Sequence, residues 1–248
     1  RASLRRGVSP MSSRVCDRTR GPRDQMTAMQ SELFSFLDAP DSEKGLAAIT
    51  TATDAIDLKA ARLEAKESPN DPEKVATVMA KLIAGGSERD VLVDSAKALA
   101  QRAGRDASGA QVAVIAGLMV WKMGDDPKLA EPYFRRVRRP LPADPRVLDF
   151  YRDLFQGESD GSQLMQVLMA ARRGAEDQEQ RYALAEEMAT LAEVRLKSVD
   201  RAIEVWRTAM REKDWDIRVL QRLRDLYERE EKWSALVELL KDEFEHIP

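Results

Sequence analysis

The chain has 248 residues, 43% of them hydrophobic and only 6% aromatic, which is more chain than one typical domain holds and little material for one large core. Charged side chains make up 33%, yet 40 basic against 43 acidic residues leave a net charge of −3, so no global field marks a dedicated nucleic-acid binder. A single cysteine, Cys16, and a single histidine, His246, exclude a disulfide framework, a Cys/His zinc site and any histidine pair.

Residues 1–30 read as a disordered basic leader, because Arg1, Arg5, Arg6, Arg14, Arg18, Arg20 and Arg23 lie among Ser, Gly and Pro without the apolar stretch of a secretory signal. The chain opens on Arg rather than Met, and so reads as a fragment, a processed form or a reading frame extended upstream of a start at Met26 or Met29. Residues 31–70 form an irregular helical segment. Within it, Leu33, Phe34, Phe36 and Leu37 are apolar enough to dock on a neighbour or back on the rest of the chain.

From Ser31 onward, apolar residues recur at three and four among strong helix formers, which predicts helices of about 12 to 20 residues and no strands. Asp71 with Pro72, Asp126 with Pro127 and Asp144 with Pro145 each place a capping oxygen ahead of a proline that fits a first helical turn. Ser87 with Asp90 approximates a capping box, while Gly85, Gly86, Gly104, Gly124 and Gly157 mark helix ends. The most apolar run, Val112 to Trp121, is about half the length of a membrane span of roughly 20 residues and predicts a buried helix.

Over 71–248 the helices repeat. Ala130, Phe134, Val137 and Pro142 set a spacing that Ala202, Trp206, Ala209 and Asp214 copy; Ala235 and Leu239 copy its first half, and Gln163, Val167 and Ala170 form a degenerate version. The preceding helix of each unit carries a stripe at i, i+4 and i+7: Val114, Leu118 and Trp121; Val147, Tyr151 and Leu154; Leu184, Met188 and Leu191; Val219, Leu223 and Leu226. A weaker unit upstream has Val75, Met79 and Leu82, then Ala96, Ala100 and Ala103. Ala130 to Gln163 and Ala202 to Ala235 both span 33 residues, and loop insertions lengthen the interval between Gln163 and Ala202 to 39.

A helix pair of this length, with a small residue, a bulky one four on, a small apolar one seven on and a proline twelve on, resembles the tetratricopeptide repeat. The resemblance covers roughly Pro72 to Pro248. The small residue that the family places in its first helix falls at Leu118, Tyr151, Met188 and Leu223, all large. The implied fold is all-α, a right-handed α-solenoid of stacked antiparallel helix pairs, in which small Ala130 and Ala202 admit the second helix and Trp121, Phe134 and Trp206 fill gaps between units.

The resemblance also implies that first helices line a concave groove through the positions one beyond each stripe. These include Met119 and Lys122, Arg152 and Phe155, and Arg224 and Tyr227, a set suited to a protein or peptide, acidic ones included. The expected function is therefore a non-enzymatic, cytoplasmic protein-interaction scaffold. No catalytic residue, metal or cofactor is expected: Cys16 and His246 stand far apart in sequence, and Glu186 with Glu187 or Glu230 with Glu231 are merely adjacent carboxylates. With Asn70 the only asparagine, the paired asparagines of the family's carboxylate-clamp adaptors are missing.

Two other classes remain open. Half-tetratricopeptide relatives in RNA-processing complexes have similarly bulky second helices, as in Ile203, Val205 and Trp206. A basic ridge of Arg135, Arg136, Arg138 and Arg139, continued by Arg172 and Arg173, would serve such a role, although nucleic acid is not the expected partner. The chain also reads as a regulatory segment of a larger enzyme. Leu236, Leu240, Phe244 and Ile247 form an amphipathic C-terminal helix with no polar cap, so either the array continues or the chain pairs with itself there.

Overall fold

A computed structural model describes residues 27–40, 42–124, 126–212 and 216–246. The basic leader, with Cys16, lies outside the described residues, as do Asp214, Ile247 and Pro248. The fold is all-α, with thirteen α-helices and no strand among the described residues. They are α1 (Ala28–Asp38), α2 (Glu43–Thr53), α3 (Leu58–Glu67), α4 (Pro72–Ala84), α5 (Arg89–Arg102), α6 (Ala107–Met123), α7 (Glu131–Val137), α8 (Pro145–Leu154), α9 (Gly161–Gly174), α10 (Gln178–Val194), α11 (Val199–Glu212), α12 (Ile217–Arg229) and α13 (Trp233–His246). No described helix is long and apolar enough to cross a membrane.

Alternate helices start in the same way. Asp71, Asp106, Asp144, Asp177 and Asp216 cap α4, α6, α8, α10 and α12, each accepting from a backbone N–H two or three residues on at 2.9–3.0 Å. An aspartate there satisfies an orphan donor and sits at the positive end of the helix dipole. By contrast, α5, α7 and α9 begin without a side-chain cap. The expected capping box fails for that reason: the N-cap of α5 is Glu88 rather than Ser87, and it makes no side-chain bond. Asp126 caps a short 3-10 turn, Pro127–Ala130, and α7 starts only at Glu131. Of the expected glycine stops, Gly86 alone uses a left-handed conformation, at φ 68° after α4; Lys197 and Glu231 adopt it elsewhere without being glycine.

The stripes face inward as the 3.6 period requires. Val75, Met79, Val114, Leu118, Val147, Tyr151, Leu184, Met188, Val219 and Leu223 are all buried. So are Ala130, Phe134 and Val137 on the segment through α7 and Ala202, Trp206 and Ala209 on α11. The degenerate copy on α9 is met in part: Val167 is buried and Ala170 half-buried, but Gln163 is exposed, and Leu164, Leu168 and Ala171, one residue on, form the series buried throughout at the same i, i+4, i+7 spacing. One connected apolar cluster runs from Leu33 to Leu236. Its aromatic centre joins three helices: Phe134 of α7 stacks on Phe150 of α8 with centroids 4.1 Å apart, and Trp121 of α6 meets both rings edge-on. The close approach of α6 to α7 is made by Gly117, one position before Leu118; a Cβ there would lie 2.9 Å from the Phe134 ring.

Residues 27–70 fold onto the others. α1, α2 and α3 all pack on α4, and α1 reaches α6 as well. Leu33, Phe34, Phe36 and Leu37 are buried, so this apolar run docks back on its own chain. Asn70 ties two helix corners together, accepting from the Gly104 amide and donating to Asp106.

Candidate functional site

Polar links join α6 to α8, α8 to α10 and α10 to α12, between residues 32 to 39 apart in sequence. Trp121 Nε1 of α6 donates to Asp153 of α8 at 3.0 Å. Arg152 of α8 makes a two-pronged pair with Glu187 of α10 at 2.7 and 2.6 Å, and a third bond to Asp149 at 2.6 Å. From α12, Arg218 donates twice to Glu179, Arg222 once to Glu186 and Arg229 once to Glu193, all on α10. These carboxylates hold the Arg152, Arg218 and Arg229 guanidinium groups above their ordinary pKa, the hydrogen bond being the main cause in each.

This arrangement changes the meaning of the residues singled out in the sequence. Arg152 is engaged by two carboxylates of its own chain, and Arg224 turns toward α13, where Glu243 accepts from it. Neither offers an uncompensated charge to an acidic partner. Met119 and Tyr227 are buried, at 0% and 3% exposure, and the Tyr227 hydroxyl accepts from Arg207 at 2.7 Å. Lys122 lies over the Trp121 ring, 3.6 Å from its centroid, and the half-buried Phe155 stacks on Tyr151. The six residues sit on α6, the end of α8 and α12, and Met119 and Tyr227 belong to the core, with Phe155 packed against it. α6 is covered almost all round, by α4, α5, α7, α8 and α1, so the positions beyond its stripe are core as well.

The basic ridge is largely structural. Arg136 donates to the carbonyls of Ala100, Ala103 and Gly104, which closes the C-terminal end of α5. Arg138 lies over the Tyr151 ring and Arg172 is 7% exposed. Arg135, Arg139 and Arg173 keep their exposure.

A concave site lies elsewhere. A cleft of about 410 Å³ opens between α1, the start of α6, the α7–α8 connection and the α9–α10 junction. Phe34, Val114, Ile115, Leu141 and Pro145 give it an apolar lining, and Gln30, Gln111 and Gln180 supply amides. Arg146 lies 4.1 Å from the Phe34 ring centroid and is paired with Asp144, Nε to Oδ1 at 3.0 Å and Nη2 to Oδ2 at 2.8 Å. Gln180 Nε2 donates to the Ala143 carbonyl at 2.9 Å. With Asp144, Glu176 and Asp177 against Arg146 alone, the lining has an excess of negative charge.

Asp144 and Asp177, the N-caps of α8 and α10, stand 33 residues apart, and Gln111 joins them from within α6, so three helices contribute residues near their N-terminal ends to one cleft. Sequence reasoning missed it, although two signals bear on it: the aspartates at repeat spacing and the proline-rich stretch from Pro140 to Pro145. The titratable side chains in the cleft lining are Asp144, Glu176, Asp177 and Arg146, and no Ser, Thr, Cys, His or Lys side chain lines it. Among the described residues no group of three or more His, Cys, Asp or Glu side chains could hold a metal ion. No family model matches this chain, and neither a curated protein nor a solved structure matches it.

Proposed function

We propose that the chain is a non-enzymatic protein-interaction scaffold, a tetratricopeptide-like right-handed solenoid that holds an extended peptide in the cleft between α1, α6, α8 and α10. The observation that carries this reading is that α6, α8 and α10 each bring residues at or near their N-terminal ends, Gln111, Asp144 and Asp177 among them, to one concave surface. The ordered aspartate caps and the buried stripes support the repeat, because each pair has apolar faces that only its neighbours cover. The peptide class follows from the lining. Apolar walls accept a bulky apolar side chain, the glutamines offer hydrogen bonds to a peptide backbone, and the excess carboxylates favour a neighbouring Lys or Arg in the ligand. An acidic peptide would meet in this cleft only Arg146, which Asp144 already pairs.

Display of random twelve-residue peptides against the intact chain tests this. Selected peptides should carry an apolar residue beside a basic one and bind with micromolar affinity. Ala143→Arg, which places a long side chain in the cleft from a half-buried position, should weaken them at least tenfold while leaving the circular dichroism unchanged. Charge reversal at Arg224 should leave binding intact. Peptides that bind Ala143→Arg equally well would refute the assignment, as would tight, steeply salt-dependent binding to RNA without any peptide ligand.

A further inference from the structure

The cleft holds one polar side chain that the fold itself does not use. Gln30 of α1 is 4% exposed, and its backbone N–H is taken by the Thr27 hydroxyl at 3.4 Å, yet among the described residues no group forms a hydrogen bond with its carboxamide. The carboxamide atoms are not among the fully enclosed polar atoms that lack a partner, so the access they keep runs through the cleft that Gln30 lines. The other two amides there are placed differently: Gln180 donates to the Ala143 carbonyl, and Gln111 is half-buried in the second turn of α6. Buried amides are nearly always partnered within a fold, and one that is not, in the wall of a cleft, is matched to what enters.

A carboxamide presents an acceptor and a donor side by side. In an extended chain the N–H and C=O of one residue point to the same side, which fits that pair. Resting on the peptide-binding function proposed above, we infer that Gln30 holds one residue of the bound peptide by its main chain, Oε1 accepting from the N–H and Nε2 donating to the C=O. The residue so held is never proline, which has no N–H. Side-chain identity is then read elsewhere: Phe34, Ile115 and Leu141 face the apolar group, and Glu176 and Asp177 the basic one. α1, which precedes the repeats, thereby becomes a recognition element as well as a packing one. The edge of an adenine base also matches a carboxamide, but Glu176 and Asp177 oppose the phosphates that accompany it.

Peptides selected by display on the intact chain are resynthesised with each amide in turn replaced by an ester, which deletes one N–H. One ester position should weaken binding on the order of tenfold. Gln30→Leu should weaken the all-amide peptide by a similar factor and remove the ester penalty at that position alone, while the Tm of the free chain stays equal or rises, because leucine suits the buried setting. Gln30→Met, which keeps the side-chain length, should behave alike. Ester penalties that persist unchanged in both variants overturn the inference and leave the peptide-binding function in place. A selection that yields no peptide overturns both. Binding of an adenosine oligonucleotide that Gln30→Leu abolishes assigns the carboxamide to a base and overturns the main-chain contact.

Discussion

Gly117→Ala is the substitution for which packing and helix propensity give opposite answers. In the interior of α6, alanine is favoured over glycine by about 1 kcal/mol. The added methyl would stand 2.9, 3.0 and 3.2 Å from three carbons of the Phe134 ring. That ring is fully buried and cannot withdraw, because its other side stacks on Phe150 at 4.1 Å and Trp121 abuts its edge. Overpacking of this kind costs about 1 to 3 kcal/mol, so the net effect is a loss of about 1 kcal/mol and a fall in Tm of about 2 to 4 °C. The assay is urea unfolding followed by far-ultraviolet circular dichroism, with midpoints compared at equal slope. Phe134→Leu completes the test: without the ring, Gly117→Ala should recover its propensity gain, giving a coupling of about 2 kcal/mol between the two sites. A Gly117→Ala variant that is stabilised by its full propensity in the otherwise unaltered chain, with no coupling to Phe134, would refute the close approach of α6 to α7.

Glu231 has φ 52° and the Lys232 amide behind it donates to the Tyr227 carbonyl at 2.8 Å, the geometry of a helix end that favours glycine; Glu231→Gly should raise stability by about 0.5 to 1 kcal/mol in the same unfolding assay. The Tyr151 hydroxyl is buried without a well-aligned hydrogen bond, and burial pushes its pKa up to about 12 from the ordinary 10. The unfolded chain therefore releases that proton first, so this contribution to stability is intact below pH 10 and is lost between pH 10 and 12. Tyr151→Phe should remove this alkaline component and stabilise the neutral protein by about 1 kcal/mol, as read from Tm against pH. Ala202 is fully buried on α11, and Ala202→Leu should destabilise by about 1 to 3 kcal/mol, visible as a lower urea midpoint.

Much of the helical arrangement is legible before any coordinate is seen, since the stripes depend only on the 3.6-residue period and the chain punctuates itself with Asp, Pro and Gly. The α9 copy slips by one because Gln163 and Leu164 satisfy the spacing almost equally, and only contact with neighbouring helices selects the leucine. The glycine of the tight approach, Gly117, stands one position before the stripe residue Leu118, where the stripe spacing gives no sign of it. The groove is harder to read. Ile115 and Met119 occupy positions that would be exposed on an isolated helix pair, and they are buried by helices distant in sequence, α1 among them. Arg152 and Glu187 are 35 residues apart, so nothing local to either announces that the charge is already compensated.

The charged links between α10 and α12 also bear on how the molecule comes apart. Around α4, α6 and α8, burial of apolar groups dominates, and salt screens such contacts little. At α10 and α12, Glu179, Glu186 and Glu193 face Arg218, Arg222 and Arg229 across side chains open to solvent, where raised ionic strength weakens each pair. Proteins open locally as well as globally, and segments held by exposed polar links are the ones that open at low cost. Salt then acts as a selective loosening agent: amides in α12 and α13 exchange sooner, while those in α6 keep the protection of the whole.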